Sequence, residues 1–161
     1  MLKNGIKDPV SALTHFIGLL ACIPCIFALI FQASHQDAMT QVIGFAIFGL
    51  SLVLLYGAST IYHTLYVSEA KTILLRRIDH IMIFVLIAGT YTPICLVSLA
   101  GPWGWTMLAL IWILAIGGAV MKIFWIQAPR WLSTSLYIIM GWLAVIAFVP
   151  LQRAVYWDGV G

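Results

Sequence analysis

The sequence has 161 residues, of which 63% are hydrophobic and 8% charged, with a net charge of +3 and a mean hydropathy of +1.08. Soluble domains carry about 25% charged residues, so a water-soluble globule is excluded for want of a polar surface. Eight Lys and Arg spread over several segments form no basic stripe, which excludes a nucleic-acid binder.

What remains is an integral membrane protein whose surroundings, and first partners, are membrane lipids. One span takes roughly 20 apolar residues, and the sequence holds five such runs. The predicted class is all-α, a polytopic membrane helix bundle forming a single domain over residues 1–161. The first span covers residues 10–31. It is too long for the apolar region of a signal peptide, and a membrane helix tolerates Pro24 inside it. A polar break over 32–41, with His35 and Asp37, leads to the second span, 42–67. A connection carrying Glu69, Lys71, Arg76 and Arg77 precedes the third, 78–99. Within it, Thr90-Tyr91-Thr92-Pro93 predicts a kink whose freed carbonyls are covered by threonine hydroxyls. Ala100-Gly101-Pro102 is a turn. The fourth span is 103–126. Its Gly117-Gly118-Ala119 permits close helix approach, and Lys122 near its end is expected to snorkel to the surface. Residues 127–130 break it. The fifth span, 131–149, is stopped by Pro150 and Arg153.

Cys22 and Cys25 form a CxxC inside an apolar run with no βαβ pattern around it, which reads as packed cysteines rather than a redox pair. Trp103, Trp105, Trp125, Trp131, Tyr66 and Trp157 fall near span ends, where an aromatic belt anchors the interface. With the N-terminus inside, Lys3, Lys7, Lys71, Arg76, Arg77, Lys122 and Arg130 all sit at cytoplasmic ends and Arg153 alone lies outside. The positive-inside rule therefore predicts a cytoplasmic N-terminus in the plasma (inner) membrane and an outside tail from Pro150.

Ionisable groups in a span are costly and point to function. His15 opens the first span, His63 closes the second, and Asp79 and His80 open the third. The alternating topology brings all of them to the cytoplasmic layer. Ser59 lies one turn before His63 and shares its helix face. Two readings of this cluster stand. In one, His63 binds a metal, Ser59 supports it, and Asp79 orients a water or bonds a ligand histidine. In the other, His63 and Asp79 form a plain polar clasp, or Asp79 pairs with Arg76 or Arg77. His80 points about 100° away from Asp79 and reads as an interface histidine or a member of the site. His15, with Thr14 before it and Asp8 a turn or two earlier, is a candidate for bonding a ligand histidine. His35 is expected in a solvated outside loop.

These residues resemble a known family. Ser59-x-x-x-His63, Arg77-Ile-Asp79-His80, Ala88-Gly-Thr-Tyr-Thr-Pro93 and Ser133-Thr-x-x-Leu-Tyr137 with Met140-Gly-Trp142 are similar to the hemolysin III family, in order from about Asp8 to Trp142. That family lies within the wider progestin and adipoQ receptor group, related to alkaline ceramidases. The resemblance implies a seven-helix bundle with a cytoplasmic N-terminus and a zinc ion held by three histidines near the cytoplasmic face. One of these matches His63. Ser59 matches the family serine, and Asp79 the aspartate that holds the metal-bound water. The other two form an HxxxH on the last span. In this sequence no two histidines are four apart, and the remaining zinc ligands are expected beyond residue 161. Asp158-Gly-Val-Gly161 reads as the entry to a sixth span, so the sequence is expected to be a fragment that lacks the last two helices. The implied activity is zinc-dependent hydrolysis of a lipid amide or ester, with a lipid as substrate. A membrane sensor or regulator, and a pore-forming cytolytic protein, are the alternatives.

Overall fold

The computed structural model of the chain describes residues 5–36, 38–99, 101–125 and 127–158, and of residues 130, 149–151 and 153–158 the backbone alone. Lys3, Asp37, Ala100 and residues 159–161, and the side chains of Arg130, Arg153 and Trp157, lie outside the described residues. In hydrocarbon every backbone N–H and C=O must be paired within the protein, and a helix does this within one segment. The apolar runs accordingly form five helices: α1 Pro9–His35, α2 Met39–Thr64, α3 Glu69–Pro93, α4 Pro102–Phe124 and α5 Arg130–Asp158. All five are long and apolar enough to cross a membrane. At 27 residues, α1 is about 40 Å long, more than a hydrocarbon core of about 30 Å requires.

The helix ends depart from the apolar runs: α1 continues through residues 32–35 of the expected polar break, and α2 covers 39–64 rather than 42–67. The third helix begins at Glu69, so Arg76 and Arg77 lie within it rather than in a connection. Ser68 and the acidic Glu69 at its start suit a helix N-terminus. The fifth continues through Pro150 to Asp158 instead of stopping there, as membrane helices containing proline often do. At Pro93 the ladder loosens into a π-helical turn, Ile94–Ser98. Thr90 and Thr92 each donate a hydroxyl to the carbonyl four residues back, Leu86 and Ala88, at 2.8 and 2.9 Å. Gly101 then turns the chain with a φ of +99°, which a glycine adopts without strain, and Pro102 starts α4.

The helices pack in chain order, each against the next. The core lies among α3, α4 and α5, around Phe84, Ala88, Ile111 and Met140. The Tyr91 hydroxyl fastens α5 to α3, donating to the carbonyls of Met140 and Gly141 at 2.8 and 2.9 Å. Trp112 Nε1 donates to Thr92 Oγ1 at 3.2 Å and joins α4 to α3. The outer faces are apolar and exposed, with Val10, Phe27, Ile113 and Phe148 among them, as a lipid-facing surface requires. Trp103, Trp105, Trp125, Trp131 and Tyr66 are exposed near helix ends. His35 is the last residue of α1, exposed and edge-on to Phe31 with ring centroids 4.3 Å apart. All three cysteines are free, Cys22 and Cys95 buried and Cys25 exposed.

The glycine pair of α4 divides its duties. A Cβ at Gly118 would run into the ring of Phe84, whereas one at Gly117 would meet nothing within 4 Å. Phe84 is fully buried and has nowhere to move. Gly118→Ala should therefore lower stability by about 1–3 kcal/mol. Gly117→Ala should raise it by roughly 0.5–1 kcal/mol through helix propensity. Thermal unfolding of the two variants in detergent reads the opposite signs, and equal shifts would contradict this packing.

Candidate functional site

The segment ahead of α1 lies against the last turn of α2. Asp8 N–H donates to the His63 carbonyl at 2.9 Å, and Lys7 N–H to the Thr64 carbonyl at 3.3 Å. Asp8 occupies the position that would cap α1, yet its side chain makes no capping bond. The carboxylate turns instead to the facing helix, where Oδ2 lies 3.0 Å from His63 Nδ1. Lys7 Nζ stands 3.8 Å from the same oxygen. It also sits 3.5 Å from the centre of the Tyr62 ring and donates to the Tyr62 carbonyl at 3.3 Å. The His15 ring stacks flat on that of His63, with centroids 5.5 Å apart and planes 13° apart. Tyr62 meets His63 edge-on at 4.8 Å. A carboxylate on Nδ1 favours the Nδ1–H tautomer of a neutral imidazole, leaving Nε2 as an acceptor or ligand.

A second group lies beside the first. Asp79 is buried one helix turn past Arg76, and His80, half-buried, follows it on α3. Tyr137 of α5 donates its hydroxyl to the His80 carbonyl at 3.3 Å, and its ring packs on Phe84 at 4.6 Å. Between α3, α4 and α5 is a chamber of about 760 Å³ whose walls include Arg76, His80, Lys122, Ser133 and Tyr137. Tyr62, whose ring meets that of His63 edge-on, also borders it.

The residues singled out from sequence thus reach one end of the bundle. His63 stands near the end of α2, Ser59 is buried one turn further in, and Asp79 is buried on α3. The carboxylate bonded to His63 is Asp8, however, not Asp79. Among the described residues both ion pairs end on Asp8, and Asp79 pairs with neither Arg76 nor Arg77. His15 does not bond a ligand histidine through a ring nitrogen but stacks on His63. Lys122 does not snorkel out: it is 3% exposed, within a wall shared with residues of α3, α5 and the connection between α4 and α5. Lys122, Ser133 and Tyr137 were missed as site residues. The signal that could have found them was their position at the two ends of the short connection between α4 and α5.

A zinc ion needs about four ligands. Among the described residues no three His, Cys, Asp or Glu side chains stand close enough together to hold one. His63 has the form of a ligand histidine, with one ring nitrogen on a carboxylate and the other free. The described residues do not by themselves make a zinc site.

Comparison with known proteins places the chain. A family model described as Haemolysin-III related matches residues 4–160. The protein named Hemolysin-3 from Bacillus cereus is 44% identical over 153 residues, which are 94% of this chain and 69% of that protein. The Hemolysin-3 homolog of Bacillus subtilis (strain 168) is 46% identical over 150 residues, covering 92% and 70% respectively. No solved structure matches. The chain belongs to the haemolysin-III-related family and is a multi-pass membrane protein.

The Asp8 side chain is 45% exposed, so its bond to His63 should contribute only about 1 kcal/mol to stability. A double-mutant cycle of Asp8→Ala and His63→Ala, read by unfolding in detergent, should show a coupling of about 0.5–1.5 kcal/mol. Strictly additive losses would contradict the bond.

Proposed function

We propose that this haemolysin-III-related protein lies in the cell's inner membrane with its N-terminus in the cytoplasm, and that it hydrolyses an amide or ester of a membrane lipid. The observation that carries the reading is the Asp8–His63 pair, which holds the ring through Nδ1 and leaves Nε2 for chemistry at the same end of the bundle as a polar chamber. Lys7, Lys71, Arg76, Arg77 and Lys122 belong to the same end of the bundle, and the positive-inside rule puts that end in the cytoplasm.

In this reading a lipid head enters the chamber from the headgroup layer. His63 Nε2 takes the proton of a water as its oxygen attacks the carbonyl carbon, and returns the proton to the leaving nitrogen or oxygen as that bond breaks. Asp8 is the positioning residue that holds the ring. Asp79 and Ser59, buried at the same end, orient the water and the ring. A zinc ion at His63 would have to draw its other ligands from outside this set of residues.

The relatives' name points to cytolysis as an alternative. A constitutive pore needs polar groups through the full depth of the bundle. Here the middle is filled by Phe84, Ala88, Ile111 and Met140. A sensor or regulator of membrane state would use the same residues to bind a lipid without turning it over.

Two measurements test the proposal. A reporter active only outside the cytoplasm, inserted after Gln36, should be active, and a cytoplasmic signal there would overturn the orientation. Mass spectrometry of lipids from cells making the protein should show an amide or ester class consumed, with turnover at least tenfold lower in His63→Ala and in Asp79→Ala. Unchanged lipid profiles in both variants would overturn the hydrolase and leave the sensor.

A further inference from the structure

The wall of the chamber between α3, α4 and α5 carries two cations, Arg76 and Lys122, with the buried carboxylate of Asp79 next to His80 behind it. Lys122 is 3% exposed and Arg76 lies at the exposed side of the chamber. Neither makes an ion pair among the described residues, and none of the lining residues is Asp or Glu. Drawing a lysine side chain into the protein wall with no ion-pair partner is unfavourable. Two further polar atoms of the same wall, His80 Nδ1 and Ser133 Oγ, are buried without a hydrogen-bond partner. Ser133 is 6% exposed. Buried polar groups in native proteins are nearly always satisfied. Two cations, a histidine nitrogen and the unpartnered Ser133 hydroxyl facing one space are the donors that an oxyanion accepts from.

We infer that this chamber binds an anion, the phosphate of a lipid headgroup or a free phosphate, through Lys122, Arg76, His80 and Ser133. Its volume of about 760 Å³ is that of a small-molecule pocket and far exceeds one phosphate. Ile83 and Ala128 give it apolar wall as well, which suits the glycerol and first methylenes of a lipid. The inference deepens the lipid-directed reading above by naming the head the site selects. It concerns binding, so a chain that turns over no lipid still passes or fails the test.

The test uses purified chain in detergent, with added phosphatidylglycerol, phosphatidylcholine or inorganic phosphate, read by thermal stabilisation and by retained lipid in native mass spectrometry. Phosphatidylglycerol should stabilise the protein and stay bound at least tenfold more than phosphatidylcholine. Lys122→Met should abolish that preference and Ser133→Ala should weaken it several-fold. Lys71→Met, on the exposed face of α3, should leave it intact. Methionine is easily buried at position 122, so that variant is expected to fold, and Ser133→Ala removes one atom only. Stabilisation by inorganic phosphate alone, lost in Lys122→Met, would assign the site to a free anion. Equal binding of the two lipids with no response to phosphate, or an undiminished preference in Lys122→Met, would overturn the inference.

Discussion

A polar group placed in hydrocarbon must find a partner inside the protein or reach the headgroup layer, and that constraint organises the whole chain. Five helices solve it for the backbone. For side chains the solution is segregation: the middle of the bundle is closed by Phe84, Ala88, Ile111 and Met140, while His63, Asp79, His80 and Lys122 collect toward one end. The few hydroxyls deeper in the bundle are spent on carbonyls. Thr90 and Thr92 cover their own helix, and Tyr91 reaches across to α5.

At the polar end the contact that ties distant parts together is the one between Asp8 and His63, 55 residues apart in the chain. It rests on two backbone bonds that lay the segment before α1 along the last turn of α2. Tyr62, edge-on to His63, borders the chamber, and Tyr137 on its far wall bonds α3 from α5. The two halves of the polar end thus share a wall.

Much of this was legible in the sequence, and the reasons for the rest are physical. The helices were legible because apolar runs near 20 residues leave the backbone little alternative. The gathering of His63, Asp79 and His80 at one end followed from the alternation of spans. The partner of His63 did not follow, because Asp8 precedes α1 and its approach depends on backbone pairing that no side-chain period encodes. The fate of Lys122 was hidden for a similar reason. Two residues from the end of α4 it had every means of snorkelling, and only the wall it shares with residues of α3 and α5 holds it in. His80 looked peripheral because it points about 100° from Asp79, yet that turn aims it into the space between α3 and α5.

The account stands on the ring of His63 being held through Nδ1. The ¹⁵N resonances of the His63 side chain, recorded for the protein in lipid bilayers under conditions where the ring is neutral, test this most directly. The account predicts the proton on Nδ1 and a bare Nε2, with the Nδ1 signal moving in Asp8→Asn. A neutral ring protonated on Nε2, and indifferent to residue 8, would contradict it.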